Sequence, residues 1–416
     1  MNVSLRQNAE QIARRAIDSV KPDAAVRRAL SDITFPGRVF LVAAGKAAWQ
    51  MASAALSCLT VPLSGGVVIT KYQHVIHPLE GLTCYEAGHP VPDENSFLAT
   101  QAALDLTKDL LETDTVLFLL SGGGSALFEQ PLIPAGELQD ITQQLLASGA
   151  GIVEMNTIRK RLSAVKGGRF AQWCAPARVQ AIILSDILGD PLDMIASGPA
   201  AADPSTCEQA QNVVKKYGLS FSLEAARCLT EETPKELTNV TSQVIGSVRQ
   251  LCASAAAACR ELGYEPVYLT DQLCCQAKEA GSFLASVLKS HAGDGRRIAF
   301  LAGGETVVHL TGSGLGGRNQ ELALAAAEGI AGISHAAVIS VGSDGTDGPT
   351  DAAGGYVDGD TLSSLQEKGL SVYDVLANND AYHALQQVDS LVITGPTGTN
   401  VNDIAIALLD LPAASV

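Results

Sequence analysis

Residues 38–46 have the sequence RVFLVAAGK, in which an apolar run leads directly into a glycine and a lysine. The segment Arg38–Ala44 predicts a buried strand, and a helical pattern begins at Lys46. The same order of apolar run, polar glycine-containing loop and helical pattern returns after predicted strands at Thr115–Leu120 and Val179–Leu184. This alternation predicts an α/β fold whose first part is a Rossmann-like, doubly wound parallel sheet.

The length of 416 residues predicts two domains, because a single core rarely grows that large. The stretch Glu231–Val240 is polar, contains a proline and has no periodic pattern. We therefore expect an N-terminal Rossmann-like domain over residues 1–235 and a second α/β domain over residues 236–416. In the second domain, a strand is predicted at Thr306–Leu310, just before a glycine-rich segment.

The composition limits the classes of partner. A net charge of −16 and an isoelectric point of about 4.8 argue against nucleic acid or an anionic membrane as the main partner. Nine cysteines without a CxxC pair are typical of free thiols in a reducing cytoplasm. No apolar run is long enough to span a membrane. We expect a cytoplasmic protein that acts on small molecules, and a homo-oligomer is compatible with the sequence.

Glycine-rich loops after the predicted strands are candidate phosphate sites. Glycine lets backbone amides approach an anion closely, and a lysine such as Lys46 at a strand-to-helix turn can reach phosphate oxygens. The alternative is that the glycines only turn the chain tightly. Two loops contain the residues predicted to bind phosphate groups. One is the turn with Gly45, and the other is the SGGGS loop, which consists of Ser121, Gly122, Gly123, Gly124 and Ser125.

A second candidate phosphate site is GSGLGGRNQE, residues 312–321. The segment formally matches the dinucleotide pattern GxGxxG, but no acidic residue ends a following strand at the expected distance. The start of the predicted helix at Arg318 is better suited to phosphate oxygens. We therefore predict that Gly316, Gly317 and Asn319 bind phosphate beside Arg318.

Aspartates in two loops are candidate metal ligands. Asp186 lies in LSDILGDP, and Asp344 and Asp347 lie in GSDGTDG. One aspartate beside a glycine is usually a turn residue, whereas several at strand ends offer the hard oxygen ligands that Mg²⁺ accepts together with phosphates. We predict all three as metal ligands and Asp186 also as a catalytic base.

The stretch Asn156–Ala171, NTIRKRLSAVKGGRFA, is basic in an otherwise acidic chain. It is either a solvated helix face or a region that attracts a carboxylate or phosphate. Asn156 and Lys166 are the candidate substrate ligands. His89, in AGHPVP, is more typical of an ordered loop than of catalysis.

Seven motifs in order give the chain a family resemblance. They are AGHPVPD, SGGGSAL, NTIRKRLSAVKGGR, LSDILGDP, GLGGRNQELAL, SDGTDGPTDAAG and TGPTGTNVND. With this set, nearly the whole chain resembles the class II glycerate 2-kinases, whose C-terminal part is the MOFRL domain.

The resemblance implies a function and a site. It implies transfer of the γ-phosphoryl group of ATP to the 2-hydroxyl of D-glycerate, with Mg²⁺, in a cleft between two α/β domains. It implies Lys46 and Arg318 as the central cations. Two positions differ from the family pattern: Arg161 replaces a common histidine, and one acidic residue is absent before Pro191, which favours Asp186 over Asp190 as the functional aspartate.

Two other functions compete with the kinase. An NAD(P)H-dependent hydroxypyruvate reductase would use the GxGxxG segment, although the acidic ribose partner is missing. A non-catalytic sensor of sugar acids would have glycine loops at strand ends without needing Lys46, Arg318 and several aspartates together.

Overall fold

The computed structural model describes residues 2–410, which form two compact units. The N-terminal unit is Pro22–Ile245, and the C-terminal unit combines Met1–Lys21 with Gly246–Val416. This division differs from the predicted one, which placed the start of the chain in the N-terminal domain and the boundary at residues 235/236. The reason is helix α1 (Val3–Ser19), whose apolar face, including Leu5, packs on elements of the C-terminal unit.

The N-terminal unit is built on a six-stranded sheet. The strands are β1 (Val39–Ala44), β2 (Leu63–Lys71), β3 (Thr83–Ala87), β4 (Thr115–Leu120), β5 (Arg178–Leu184) and β6 (Val240–Gly246). Their order is β3-β2-β1-β4-β5-β6, and the pairs from β3 to β5 are parallel. Every residue of β1 and β4 is buried, as expected for central strands covered on both faces.

Helices and a short 3-10 helix (Ile195–Ser197) connect these strands. The helices are α2 (Pro22–Leu30), α3 (Ala48–Cys58), α4 (Glu94–Leu106), α5 (Gly124–Leu127), α6 (Ala135–Ala147), α7 (Ile152–Arg159), α8 (Arg169–Trp173), α9 (Cys207–Tyr217) and α10 (Leu223–Cys228). The chain runs from β1 outward through β2 and β3, and then crosses to β4 on the other side of β1. This reversal is a topological switch point, where ligands bind in open α/β sheets.

The C-terminal unit has a mixed sheet of order β11-β10-β9-β12-β8-β7. Its strands are β7 (Glu265–Leu273), β8 (Arg297–Gly304), β9 (Ala336–Gly342), β10 (Gly354–Asp358), β11 (Leu391–Val392) and β12 (Asp403–Asp410). Its helices, besides α1, are α11 (Val248–Glu261), α12 (Ala277–His291), α13 (Arg318–Gly329), α14 (Thr361–Glu367), α15 (Val372–Ala377) and α16 (Ala381–Gln387). The predicted fold class, two α/β domains with a Rossmann-like first sheet, is confirmed.

The strand predicted at Thr306–Leu310 is wrong. The segment forms only one isolated bridge, between Val307 and Gln276, and the side chains of Val307 and Leu310 are exposed. Because no neighbouring strand pairs along the segment, its β-branched residues do not produce a strand. The GxGxxG segment therefore does not follow a strand as a dinucleotide-binding turn does.

Across residues 2–410, no helix is both long and apolar enough to cross a lipid bilayer.

Candidate active site

The turn after β1 and the loop after β4 are joined at the switch point of the N-terminal sheet. The backbone N–H of Lys46 donates to the carbonyl oxygen of Gly122 at 2.8 Å. The N–H of Ala47 donates to Ser121 Oγ at 3.0 Å. The half-buried Lys46 and the SGGGS loop thus lie side by side, at the carboxyl ends of two adjacent parallel strands.

Close packing accounts for two of the glycines around Lys46. A Cβ at Gly45, whose φ is +125°, would lie 2.2 Å from Ser121 Oγ. A Cβ at Gly123, whose φ is +85°, would lie 3.0 Å from His89 Cδ2 and 3.2 Å from Lys46 Cγ. L-residues rarely adopt such φ values, so both conformation and space require glycine. Phosphate binding by these loops remains a prediction.

Asp186 belongs to the same cluster. It follows β5, the strand next to β4, and a Cβ at Gly122 would lie 1.9 Å from its Oδ2 atom. Lys46, Asp186 and the glycines of the SGGGS loop therefore lie at the same edge of one sheet. This arrangement places a cation, a carboxylate and backbone close together, which is what phosphoryl transfer to a hydroxyl group requires.

His89 is a neighbour of Lys46 that sequence reasoning did not place there. Its ring faces Gly123, and burial together with the positive charges of Lys46 and Lys71 lowers the pKa of His89 below its usual value. The imidazole is therefore neutral at physiological pH. The AGHPVPD motif contained the signal for this position, but a motif does not show which loop a side chain will contact.

A segment with a strained backbone contacts the SGGGS loop. Ala196 and Ser197 have φ values of +51° and +61°, which are uncommon for residues other than glycine. Ser197 Oγ lies 3.0 Å from Ser125 Oγ and donates to Asn156 Oδ1 at 3.1 Å. Asn156 is buried, so it reaches the loop through Ser197, and its predicted contact with substrate stays a prediction.

Two lysines of the basic stretch, Lys160 and Lys166, are buried and paired rather than solvated or free. Lys166 is fully buried and paired with Glu129. Lys160 is also buried and pairs with Asp193 at 2.9 Å and Asp203 at 3.1 Å. These charges hold the unit together, because a buried cation without a partner is strongly destabilising. A role of Lys166 in binding substrate would require its pair with Glu129 to open.

Arg318, in the first turn of α13, is held by two acidic residues of the C-terminal unit. Its Nε and Nη2 atoms donate to Asp403 at 2.5 and 3.0 Å, and Nη1 lies 3.2 Å from Glu305. Burial by itself would lower the pKa of Arg318, but these ion pairs raise it above its usual value. Both acidic residues were missed, although TGPTGTNVND ends at Asp403.

Asp347 caps the start of α13 with both carboxylate oxygens. They accept from the backbone N–H groups of Asn319 at 3.1 Å and Gln320 at 2.8 Å. A Cβ at Gly317 would lie 2.2 Å from the Asp347 carboxyl carbon, and burial raises the pKa of Asp347 to about 6. The helix start that was predicted to meet phosphate therefore meets an anion of the same chain.

The predicted phosphate ligands Gly316 and Asn319 also have partners within the chain. The carbonyl oxygen of Gly316 lies 2.4 Å from the position of a Cβ on Gly348. The buried Asn319 side chain accepts from Ser340 Oγ at 2.6 Å and donates to Asp347 at 3.3 Å. Their phosphate contacts stay predictions. The close packing is a structural reason for a glycine at residue 316 and an asparagine at residue 319.

The three predicted metal ligands differ in how well they fit Mg²⁺. Within residues 2–410, no group of three or more His, Cys, Asp or Glu side chains could enclose a metal ion. Mg²⁺ does not need such a group, since it commonly takes one or two carboxylates plus substrate phosphates. Asp186 lies beside the SGGGS loop, and the carboxylate of the half-buried Asp344 accepts from the backbone N–H of Thr346 at 3.0 Å. Both fit that pattern better than the helix cap Asp347.

Comparisons with known proteins cover both units. The family model described as a domain of unknown function, DUF4147, matches residues 8–230, and the MOFRL family model matches residues 298–403. The D-glycerate 2-kinase of Thermotoga maritima is 51% identical over 98% of this chain and 99% of its own length. A protein of Agrobacterium vitis that is provisionally named a hydroxypyruvate reductase is 38% identical, over 98% of this chain and 95% of its own.

A solved structure agrees with these matches. The crystal structure of glycerate kinase from Thermotoga maritima superimposes with a TM-score of 0.95 at 50% identity, covering 98% of this chain and 100% of the other. The ordered motifs, the two α/β units and the full-length similarity agree with one another. The chain belongs to the class II glycerate 2-kinase family, in which a DUF4147 domain is combined with a MOFRL domain.

Proposed function

We propose that this protein transfers the γ-phosphoryl group of ATP to the 2-hydroxyl of D-glycerate, giving 2-phospho-D-glycerate. The observation that carries the proposal is the cluster of Lys46, Gly122 and Asp186 at the switch point of the N-terminal sheet. The relatives named glycerate kinase support the same substrate.

Lys46 and the SGGGS loop bind the phosphate groups in this mechanism. The ammonium group of Lys46 neutralises charge that builds up on the transferring phosphoryl group, and the loop amides orient it. The hydrogen bonds from the Lys46 and Ala47 backbones to the loop keep this geometry in place before the substrates arrive. Little reorganisation is then needed during the reaction.

Asp186 receives the proton of the glycerate 2-hydroxyl as that oxygen attacks the phosphorus atom. Its position against Gly122 places the carboxylate beside the proposed phosphate loop. The neutral ring of His89 borders the same loop without adding positive charge there.

Arg318 contributes a second, oriented cation. Two hydrogen bonds to Asp403 and a contact with Glu305 restrict the guanidinium group to one orientation, so it is preorganised to bind phosphate oxygens. When bound, Mg²⁺ would be held by Asp186 or Asp344 and would neutralise phosphate charge.

We also propose a cytoplasmic location, with D-glycerate and ATP as the small-molecule partners. The cysteines are all free thiols, as expected in a reducing compartment.

The reductase is the second candidate, because a relative carries that name. The glycine segment that would bind the dinucleotide packs on the chain instead: a Cβ at Gly314 would lie 2.4 Å from Asp380 Cβ, and Asp347 caps the helix start that would meet the pyrophosphate. This arrangement supports the kinase.

One pair of assays tests the two functions. Purified protein with ATP, Mg²⁺ and D-glycerate should yield ADP and 2-phosphoglycerate, identified by NMR or by coupling to enolase. The same protein with hydroxypyruvate and NADH should leave the nicotinamide absorbance unchanged. Formation of 3-phosphoglycerate alone, or oxidation of NADH, would contradict the proposal.

A further inference from the structure

The N-terminal unit contains a cavity that the proposed reaction does not explain and that neither Lys46 nor Asp186 lines. It is a cavity of about 480 Å³ between α6, α7 and the loop Pro90–Pro92. The side chains of Leu138, Leu146 and Met155 make its walls largely apolar. Its volume and composition are those of a small-molecule pocket rather than of a packing defect.

One of the residues that line this cavity, Glu129, has a buried carboxylate oxygen without a partner. Glu129 is 1% exposed, and its Oε2 atom is paired with Lys166, whereas its Oε1 atom has no hydrogen-bond partner among the described residues. A buried acceptor without a donor is destabilising, so a ligand that donates a hydrogen bond to it is stabilised by that bond.

Arg159 lines the same cavity and supplies hydrogen-bond donors, whereas Glu129 supplies an acceptor. Its half-buried guanidinium group is influenced by the charge of Glu129 but makes no hydrogen bond or ion pair within residues 2–410. Glu129 therefore contributes one acceptor without a donor, and Arg159 contributes donors without an acceptor, beside the apolar walls. A matching ligand is flat and largely apolar on its faces, with a donor and an acceptor on its edge.

Residues that line the cavity are close in sequence to the proposed phosphate loop and to its neighbour His89. Glu129 follows Ser125 by four residues, which span at most about 14 Å of extended chain. On the other side, Pro90 directly follows His89, whose ring faces Gly123. The phosphates and the base of one nucleotide can therefore be bound by adjoining parts of this unit.

We propose that this cavity binds the adenine base of the nucleotide, with the exocyclic amino group donating to Glu129 Oε1 and a ring nitrogen accepting from Arg159. The proposal rests on the kinase function, and it adds which unit holds the nucleoside. D-Glycerate does not fit the same role, because a three-carbon polar acid leaves the apolar walls uncovered.

Arg159→Leu tests the contact, and it avoids Glu129 because changing that residue would leave Lys166 buried without its partner. The variant should bind ATP about ten- to a hundred-fold more weakly, as expected for loss of a charge-assisted hydrogen bond. It should bind inorganic tripolyphosphate as the unmodified protein does, since only the base contact is lost. Arg178→Leu is the matched control, since Arg178 is an exposed arginine at the opposite, N-terminal end of β5. An unchanged affinity for ATP, or an equal loss for ATP and tripolyphosphate, would overturn the assignment.

Photolabelling with 8-azido-ATP maps the base directly and does not depend on a variant. Peptides that cover residues 90–92 or 138–159 should be labelled, and excess ATP should prevent the labelling. ATP-protected labels confined to residues 246–410 would exclude this cavity. Loss of glycerate phosphorylation with labelling intact would contradict only the proposed function, whereas phosphorylation with unchanged ATP affinity in Arg159→Leu would contradict only the base site.

Discussion

Gly122 and Asp186 are in such close contact that no side chain fits between them. A Cβ at residue 122 would lie 1.9 Å from Asp186 Oδ2 and 2.5 Å from its carboxyl carbon. The φ of Gly122 lies outside the left-handed region, so the approach of the carboxylate and not the backbone conformation is what requires glycine there. Asp186 and the SGGGS loop thus depend on each other for their positions.

Gly122→Ala should therefore reduce kcat by about a hundred-fold or more, because a displacement of about 1 Å at a reacting group has effects of that size. The added methyl group meets the end of a side chain, which can move, so the fold should survive. Gly136→Ala is the control, since nothing lies within 4 Å of a Cβ at that exposed helical position. Similar kcat values for the two variants would show that Asp186 need not sit against the loop.

Lys46→Ala should lower kcat by about 10²–10³-fold, the usual cost of removing one charge-stabilising donor in a transition state. Because its backbone N–H still bonds to Gly122, the melting temperature should change little. The exposed Lys108 provides the control variant Lys108→Ala. If Lys46→Ala retains normal turnover while folded, Lys46 does not bind the transferring group.

Arg318→Lys preserves the charge but loses the paired hydrogen bonds to Asp403. We expect kcat to fall at least about ten-fold and the melting temperature to drop, because Asp403 is buried and loses a partner. Arg296→Lys, on an exposed arginine paired with Glu265, should leave both quantities unchanged. Full activity with lysine at residue 318 would mean that charge alone is sufficient.

Asp347 should make the stability of the C-terminal unit depend on pH. Burial raises its pKa from 3.8 to about 6, so the folded protein keeps the proton that the unfolded chain releases between these values. The stabilisation is fully present below pH 4 and is lost as the pH rises to about 6, by at most about 3 kcal/mol.

The comparison of Asp347→Asn with the unmodified protein measures this linkage. The melting temperature of the unmodified protein relative to the variant should fall from pH 4 to pH 6 and become constant above pH 7. A difference that is the same at every pH would show that Asp347 ionises normally despite its burial.

Asp186→Asn and Asp344→Asn should have different effects. Asp186→Asn should lower kcat with ATP binding largely retained, because it removes the proton acceptor. Asp344→Asn should raise the Mg²⁺ concentration needed for half-maximal activity, because a hard cation loses an anionic ligand. A Mg²⁺ titration of both variants checks the assignment, and a raised requirement in Asp186→Asn alone would reverse it.

Local patterns were sufficient to predict the fold class and the side of the sheet on which Lys46, the SGGGS loop and Asp186 lie. Apolar runs indicate buried strands, and the carboxyl ends of parallel strands meet at one edge. The segment Thr306–Leu310 has the residue types of a strand but does not form one, because a strand also needs a neighbour with which to pair.

Partners distant in the chain were not predictable in this way. Three contacts join segments that are separate in sequence. They are the buried pair of Lys166 with Glu129, the cap that Asp347 forms on α13, and the pair of Arg318 with Asp403. The type of a charged residue does not show whether its side chain contacts a ligand or a buried partner. Its role depends on which groups the folded chain brings within hydrogen-bonding distance and on how much water remains around them, and both follow from tertiary packing.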